Sequence, residues 1–221
     1  MGSKRHAKRL SSRKPSKAYT TFERVVERSL RLLRLQESLE DLQRYSEKKL
    51  PLLSDLSRAA IVLAVAAMDA YFTDVFAENF VRYLKAKGPE QGLTALLSKA
   101  GLDTRVALEL LNMQKPNRRI RTLVERYHER TTTQRAEAID ELFIAYGIKD
   151  FCKRAQGIAR RKNLLASIRI LVNRRHEIVH DGDINSHGSL QSISSTETRR
   201  RVQDVVKFVA ASEELLAKVL P

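Results

Sequence analysis

The sequence predicts an all-α fold, a bundle of about five main helices with a helical section inserted between residues 88 and 150. Three observations lead there. Apolar residues recur at three- and four-residue spacing through long segments that open on capping signals. No segment alternates apolar and polar residues between hairpin turns, as a half-buried strand does. The 221 residues include only 8 glycines, 5 prolines and no tryptophan, and 43% are hydrophobic against 30% charged, a composition in keeping with a helix-rich globular chain.

Thr20 with Glu23 forms a capping box, and helical spacing continues from there to about Lys48 through Val26, Leu30, Leu33 and Leu42. Pro51 closes that helix. Ser54-Asp55 can cap a second one reaching about Lys85, filled in its middle by Ile61, Val65, Met68, Phe72 and Phe76. Asp69 stands inside this apolar run and needs a cation or backbone donors, since an isolated buried carboxylate is costly. Gly88-Pro89-Glu90-Gln91-Gly92 then opens a section of shorter helical pieces, punctuated by Gly101, Pro116, the Thr131-Thr132-Thr133 run and Gly147. Within it Arg118, Arg119, Arg121, Arg126 and Arg130 form a candidate phosphate-contacting patch. One helix or two run from Asp150 to about His180, a Ser- and Gly-rich loop follows, and Ser194 with Glu197 caps a last helix ending near Pro221.

Charge bounds the partners. The net charge is +15, which favours polyanions because Lys and Arg release condensed counterions on meeting phosphates. Residues 1–19 hold seven Lys and Arg and no acid, predicting a disordered basic tail ahead of a single domain spanning 20–221. Without those seven the remainder still carries +8. The single cysteine, Cys152, excludes a disulfide framework and a Cys-rich zinc module, so a reducing cytoplasm is the expected compartment and a small core residue its expected role. No apolar segment follows the basic tail as in a secretion signal, and the apolar run from Ala59 to Met68 is half the length of a membrane span.

The densest chemistry lies in Asn173-Arg174-Arg175-His176-Glu177-Ile178-Val179-His180-Asp181-Gly182-Asp183. At about 100° per residue, Leu164, Leu165, Ile168, Leu171, Val172 and Val179 share one apolar arc of a helix, and Arg175 falls inside it. Arg169, Asn173, His176 and His180 form a polar stripe on its edge. An arginine on a buried arc must pair with an acid or reach a cleft, and Asp69 is the expected partner. Two motifs overlap here. His176-Glu177-x-x-His180 could hold zinc with Glu177 as general base, but it needs a third ligand. His187 is one position too far for the extended form of that motif, which leaves Glu197. The alternative is Arg175-x-x-x-x-His180. A purely structural account also exists, with His180 at the helix C-terminus and Arg175 neutralising Asp69.

Arg175-His176-Glu177-Ile178-Val179-His180-Asp181-Gly182-Asp183, at the end of a penultimate helix, resembles the signature of HEPN-domain proteins, in particular the RiboL-PSP branch. His176 stands where that signature commonly has Asn. The resemblance implies a compact helical bundle that dimerises with two motifs facing each other, and in many members a metal-independent endoribonuclease. Other members have lost catalysis and serve as binding modules, which keeps a silent RNA- or protein-binding dimer as the alternative.

The chemistry suits that implication. RNA cleavage needs a base for the 2′-OH, an acid for the departing 5′-oxygen and positive charge on the phosphorane, and imidazole and guanidinium supply these. Five residues separate Arg175 and His180 by about 140° on a regular helix. Either the helix distorts near Asp181-Gly182 or a second protomer supplies the missing group. The expected site is therefore Arg175 and His180 as catalytic residues with His176 assisting, supported by Asp69, Asn173 and Glu177. Arg160, Arg161, Lys162, Arg169 and Arg174 are expected to contact RNA. No cofactor is expected. The expected partners are RNA, a second copy of the chain and an antitoxin or defence-complex protein, with no membrane, as for a toxin or antiphage effector.

Overall fold

The computed structural model describes residues 14–43, 53–129 and 133–221. Among them are nine helices: α1 (Lys17–Gln43), α2 (Leu53–Lys87), α3 (Gln91–Lys99), α4 (Thr104–Leu111), α5 (Pro116–Glu129), α6 (Ala136–Ile144), α7 (Phe151–Ala159), α8 (Leu164–Asp181) and α9 (Ser195–Val219). The only pairing of extended backbone among the described residues is an isolated bridge between Ile184 and Leu190. The all-α expectation holds, with α1, α2, α7, α8 and α9 as the five main helices and α3 to α6 between them.

α2 is the axis of the bundle. Its buried side chains run from Ser57 to Tyr83 and face α1, α5, α6, α8 and α9. By length and composition α2 could cross a membrane, but its apolar side chains are those of the core. The aromatic residues interlock: Phe72 meets Tyr71, Phe143, Phe151 and Phe208 edge-on or tilted, while Phe143 stacks on Phe151 at 4.1 Å and Phe76 on Tyr146 at 4.4 Å. Such pairs add about 0.5–1.5 kcal/mol each beyond area burial. Leu93, Leu96, Ile139, Leu142 and Phe143 belong to this same core, so α3 and α6 close the bundle rather than decorate it. They approach closely, because a Cβ on Gly92 would stand 2.7 Å from the Ile144 carbonyl oxygen. Cys152 is buried in the core as expected, and burial pushes its thiol well above the ordinary range.

The bundle's ends are held by acids. Ser16, not Thr20, caps α1: its Oγ accepts from the Tyr19 N–H at 3.0 Å, and Thr20 lies inside the helix with its hydroxyl donating to the Ser16 carbonyl. Glu78 accepts from the Lys17 and Ala18 N–H groups, and Glu213 accepts from the Ser16 N–H, the Ser16 hydroxyl and the Tyr71 hydroxyl. Four orphan donors at a helix start are thus met largely by tertiary partners. Ala18 and Tyr19 are buried, so ordered packing begins ahead of residue 20. The rest of the expected basic tail, residues 1–13, lies outside the described residues, as does the stretch 44–52 that contains the expected end of the first helix.

Candidate functional site

α8 forms because Leu164, Ile168, Leu171 and Val172 pack into the core at helical spacing. It ends at Gly182, whose φ of +63° lets its N–H reach back to the Glu177 carbonyl; Asp183, at φ +61°, does the same at 3.2 Å. Two consecutive left-handed residues close the helix in a Schellman-like turn, the conformation that favours glycine at the first of them. The chain then folds back through Asn185, whose Oδ1 accepts from the N–H groups of His187 and Ser189, and Gln191 donates its N–H to the Asp183 carbonyl.

That turn drives Asp183 into the protein. Its side chain is fully buried, and Oδ2 accepts from Arg58 Nε at 2.7 Å and Arg174 Nη2 at 2.9 Å. Arg58 also donates to Ser54, Asp55 and the Gln191 carbonyl, and Arg174 to Glu177, the Gln191 side chain and the Ser192 carbonyl. Ser54 and Asp55, expected as the cap of the second helix, lie inside its first turn instead and serve Arg58. Sequence reasoning passed over Asp183 as a site residue. The available signal was Arg58, a cation opening an apolar helix with no acid near it except Asp55.

The expected polar stripe is present: Arg169, Asn173, His176 and His180 are all exposed, and the two imidazole rings lie 4.3 Å apart, tilted by 41°. Arg175 is half-buried on the apolar arc, with its Nε buried and without a hydrogen-bond partner among the described residues. One turn further on, Val179 was expected on the buried arc but is 46% exposed, because the bundle stops covering α8 there. α8 stays α-helical through Asp181, so within one chain Arg175 and His180 diverge by about 140° and local distortion does not bring them together.

Asp69 does not pair with Arg175. Its carboxylate takes the Thr133 N–H at 2.6 Å, the Thr133 hydroxyl at 2.7 Å and the Gln134 amide at 2.9 Å, so backbone and neutral donors solvate it in place of a guanidinium. Two expected RNA contacts are likewise committed elsewhere. Arg174 is tied into the Asp183 network, and Arg161 makes a two-point ion pair with fully buried Asp204, Nε to Oδ1 at 2.8 Å and Nη2 to Oδ2 at 2.9 Å. Arg160 and Lys162 are exposed, as are Arg118, Arg119 and Arg126 on α5; Arg130 lies outside the described residues.

Glu177 holds Arg174 through its side chain and the helix end through its carbonyl. No third ligand for a zinc site joins His176 and His180 among the described residues. Glu197 is bound by Arg200 at 2.6 and 2.8 Å and by Arg201, and the Arg200 hydrogen bonds, ahead of the other causes, hold its carboxyl below the usual range. No group of three His, Cys, Asp or Glu gathers among the described residues.

Beside the stripe, between α8, residues 191–194 and the start of α9, is an open cavity of about 440 Å³. Ser194 caps α9 there as expected, accepting from the Glu197 N–H.

No curated protein and no solved structure matches the chain. The model of the RiboL-PSP-HEPN family matches residues 23–218, nearly the whole of it. That span takes in the aromatic core, the Arg58–Asp183–Arg174 network and the complete α8 motif, and the chain belongs to the RiboL-PSP-HEPN family.

Proposed function

We propose that the protein is a metal-independent endoribonuclease that works as a two-fold dimer, with the exposed ends of two α8 helices facing each other. The observation that carries this is Arg175, half-buried with an unpartnered Nε, on the same helix end as the exposed His176–His180 pair. A guanidinium that no acid among the described residues pairs is suited to a phosphate brought from outside. Because Arg175 and His180 point apart on one helix, the cleft takes Arg175 from one protomer and His180 from its partner, and two-fold symmetry supplies a second imidazole. Val179 adds uncovered apolar surface beside Arg175 for that contact.

In the cleft one imidazole accepts the proton of the 2′-OH as its oxygen attacks phosphorus. The protonated second imidazole gives its proton to the departing 5′-oxygen. Arg175 holds the phosphorane oxygens through its fork. The products are a 2′,3′-cyclic phosphate and a 5′-hydroxyl. His176, its ring against that of His180, orients it. Exposed Arg169, on the same stripe, draws the RNA backbone to this face, and exposed Arg160 and Lys162, ahead of the start of α8, extend the basic surface along the helix. The setting that fits such an activity is a cytoplasmic toxin or antiphage effector held in check by an antitoxin or a defence-complex protein.

The test is cleavage of end-labelled single-stranded RNA in EDTA. Wild type cuts and leaves cyclic phosphate ends, whereas His180→Ala and Arg175→Ala do not. Equal cutting by wild type and His180→Ala, or free 3′-hydroxyl ends, would overturn the mechanism. Binding without cutting by all three proteins would favour a silent RNA-binding dimer.

A further inference from the structure

The 440 Å³ cavity beside the stripe has no part in the phosphate chemistry, yet Asn173 belongs to both. Ile61, Leu171 and Ile193 line it with Ile170 at its side, and Asn173, Glu177 and Gln191 supply polar groups. Its volume falls in the range of small-ligand sites, about 300–1,000 Å³. Its two arginines are already neutralised, Arg174 by Asp183 and Glu177, and Arg201 by Glu197. The walls therefore offer branched aliphatic surface and carboxylate or amide edges rather than a free cation, which suits a flat, neutral, hydrogen-bonding ring better than a phosphate.

We infer that this cavity takes one unstacked base of the RNA, from a nucleotide next to the scissile phosphate, and that it prefers guanine; the assignment rests on the ribonuclease function proposed above. Single-stranded RNA is read by splaying bases out and bonding their Watson–Crick edges. Guanine presents two adjacent N–H donors there, and the carboxylate of Glu177 with the Asn173 amide oxygen supplies acceptors. Gln191, whose Oε1 accepts from Arg174 at 2.7 Å, is held with its amide hydrogens left for a base acceptor.

Binding and cutting are tested separately. In the full chain carrying His180→Ala, with labelled isoleucine methyls, GMP should shift the signals of Ile61, Ile170 and Ile193 at concentrations where CMP, UMP and inorganic phosphate do not. Glu177→Gln should weaken GMP at least fivefold. Ile170→Trp, at a position 49% exposed and outside the core, should fill the cavity and abolish the response. Cut sites of the wild type on a mixed-sequence RNA should carry a guanine bias at one position beside the cut, lost in both cavity variants. Cutting without base bias and without methyl shifts overturns the base site and leaves the nuclease standing. Methyl shifts by GMP without cutting uphold the base site and overturn the nuclease. Shifts of equal size with phosphate alone overturn the base site in favour of an anion site.

Discussion

Asp183→Ala tests the idea that the end of α8 is positioned from inside. The carboxylate is fully buried, and one of its oxygens accepts from both Arg58, only 8% exposed, and Arg174, 18% exposed. Removing it leaves two guanidinium groups facing a hole. Breaking a buried ion pair costs about 3–5 kcal/mol. Arg58 keeps Asp55, Ser54 and the Gln191 carbonyl, so the lower end of that range, about 3 kcal/mol, is expected. Asp183→Asn should cost less, because its amide oxygen can still accept from both arginines while its NH2 takes the place of the carboxylate oxygen that has no partner. Urea unfolding followed by circular dichroism measures both. Against a typical domain stability of about 5–15 kcal/mol, the alanine variant should show a clearly lower midpoint at an unchanged slope. A loss below about 1 kcal/mol would refute the buried network as the anchor of this turn.

Four further outcomes follow from the same geometry. Arg161→Ala should destabilise the fold by stranding Asp204, whereas Arg160→Ala and Lys162→Ala should leave the melting temperature in place, weaken RNA binding and each lower its salt slope by about 1; filter binding at several salt concentrations, beside melting curves, separates the two behaviours. Tyr71→Phe deprives buried Glu213 of a hydrogen bond and should cost about 1.5–3 kcal/mol in urea. Burial, and then the charge of Glu213, raise the Glu23 carboxyl above its usual range, so ionising it disfavours the fold as pH rises through that range. Glu23→Gln should therefore be more stable at neutral pH, by up to about 0.5 kcal/mol at this exposed position, with the gain fading below about pH 4. Finally, an excess of inactive chains carrying both Arg175→Ala and His180→Ala should suppress cutting by wild type, because a mixed dimer keeps neither an intact Arg175–His180 pair across its interface nor a second imidazole; cutting undiminished after verified subunit exchange would place both groups in one chain.

The main helices were legible in the sequence, apart from the break between α7 and α8, because each buries an apolar face at helical spacing, and the Ser194 cap because its partner lies three residues away. So was the exposed stripe of Arg169, Asn173, His176 and His180, which needs only the helix repeat. Long-range polar satisfaction was not legible. Asp69 could have been met by any donor the fold delivered, and it is met by Thr133, sixty-four residues away, through a backbone N–H that no side-chain pattern encodes. Glu78 and Glu213, which finish the start of α1, are equally remote. Arg174 and Arg161 look like nucleic-acid contacts in one dimension, and only the fold shows which arginines face acids. Val179 fits the apolar arc by period, but where neighbouring helices stop covering α8 is a tertiary property.

The Asp69–Thr133 contact also governs chain entropy. With Tyr83 donating to Glu90 at 2.7 Å near one end and Thr133 fastened to α2 at the other, the excursion through α3, α4 and α5 is a loop whose ends are fixed to one rigid helix. Closure entropy grows only logarithmically with length, about 0.6 kcal/mol per doubling. The outward-facing α4, with Leu108 and Leu111 uncovered, can therefore be shortened, exchanged or interrupted by a reporter at small thermodynamic expense, provided Leu93, Leu96 and both fastenings are kept. The α8 end, anchored on the same helix by Arg58, would not register the change.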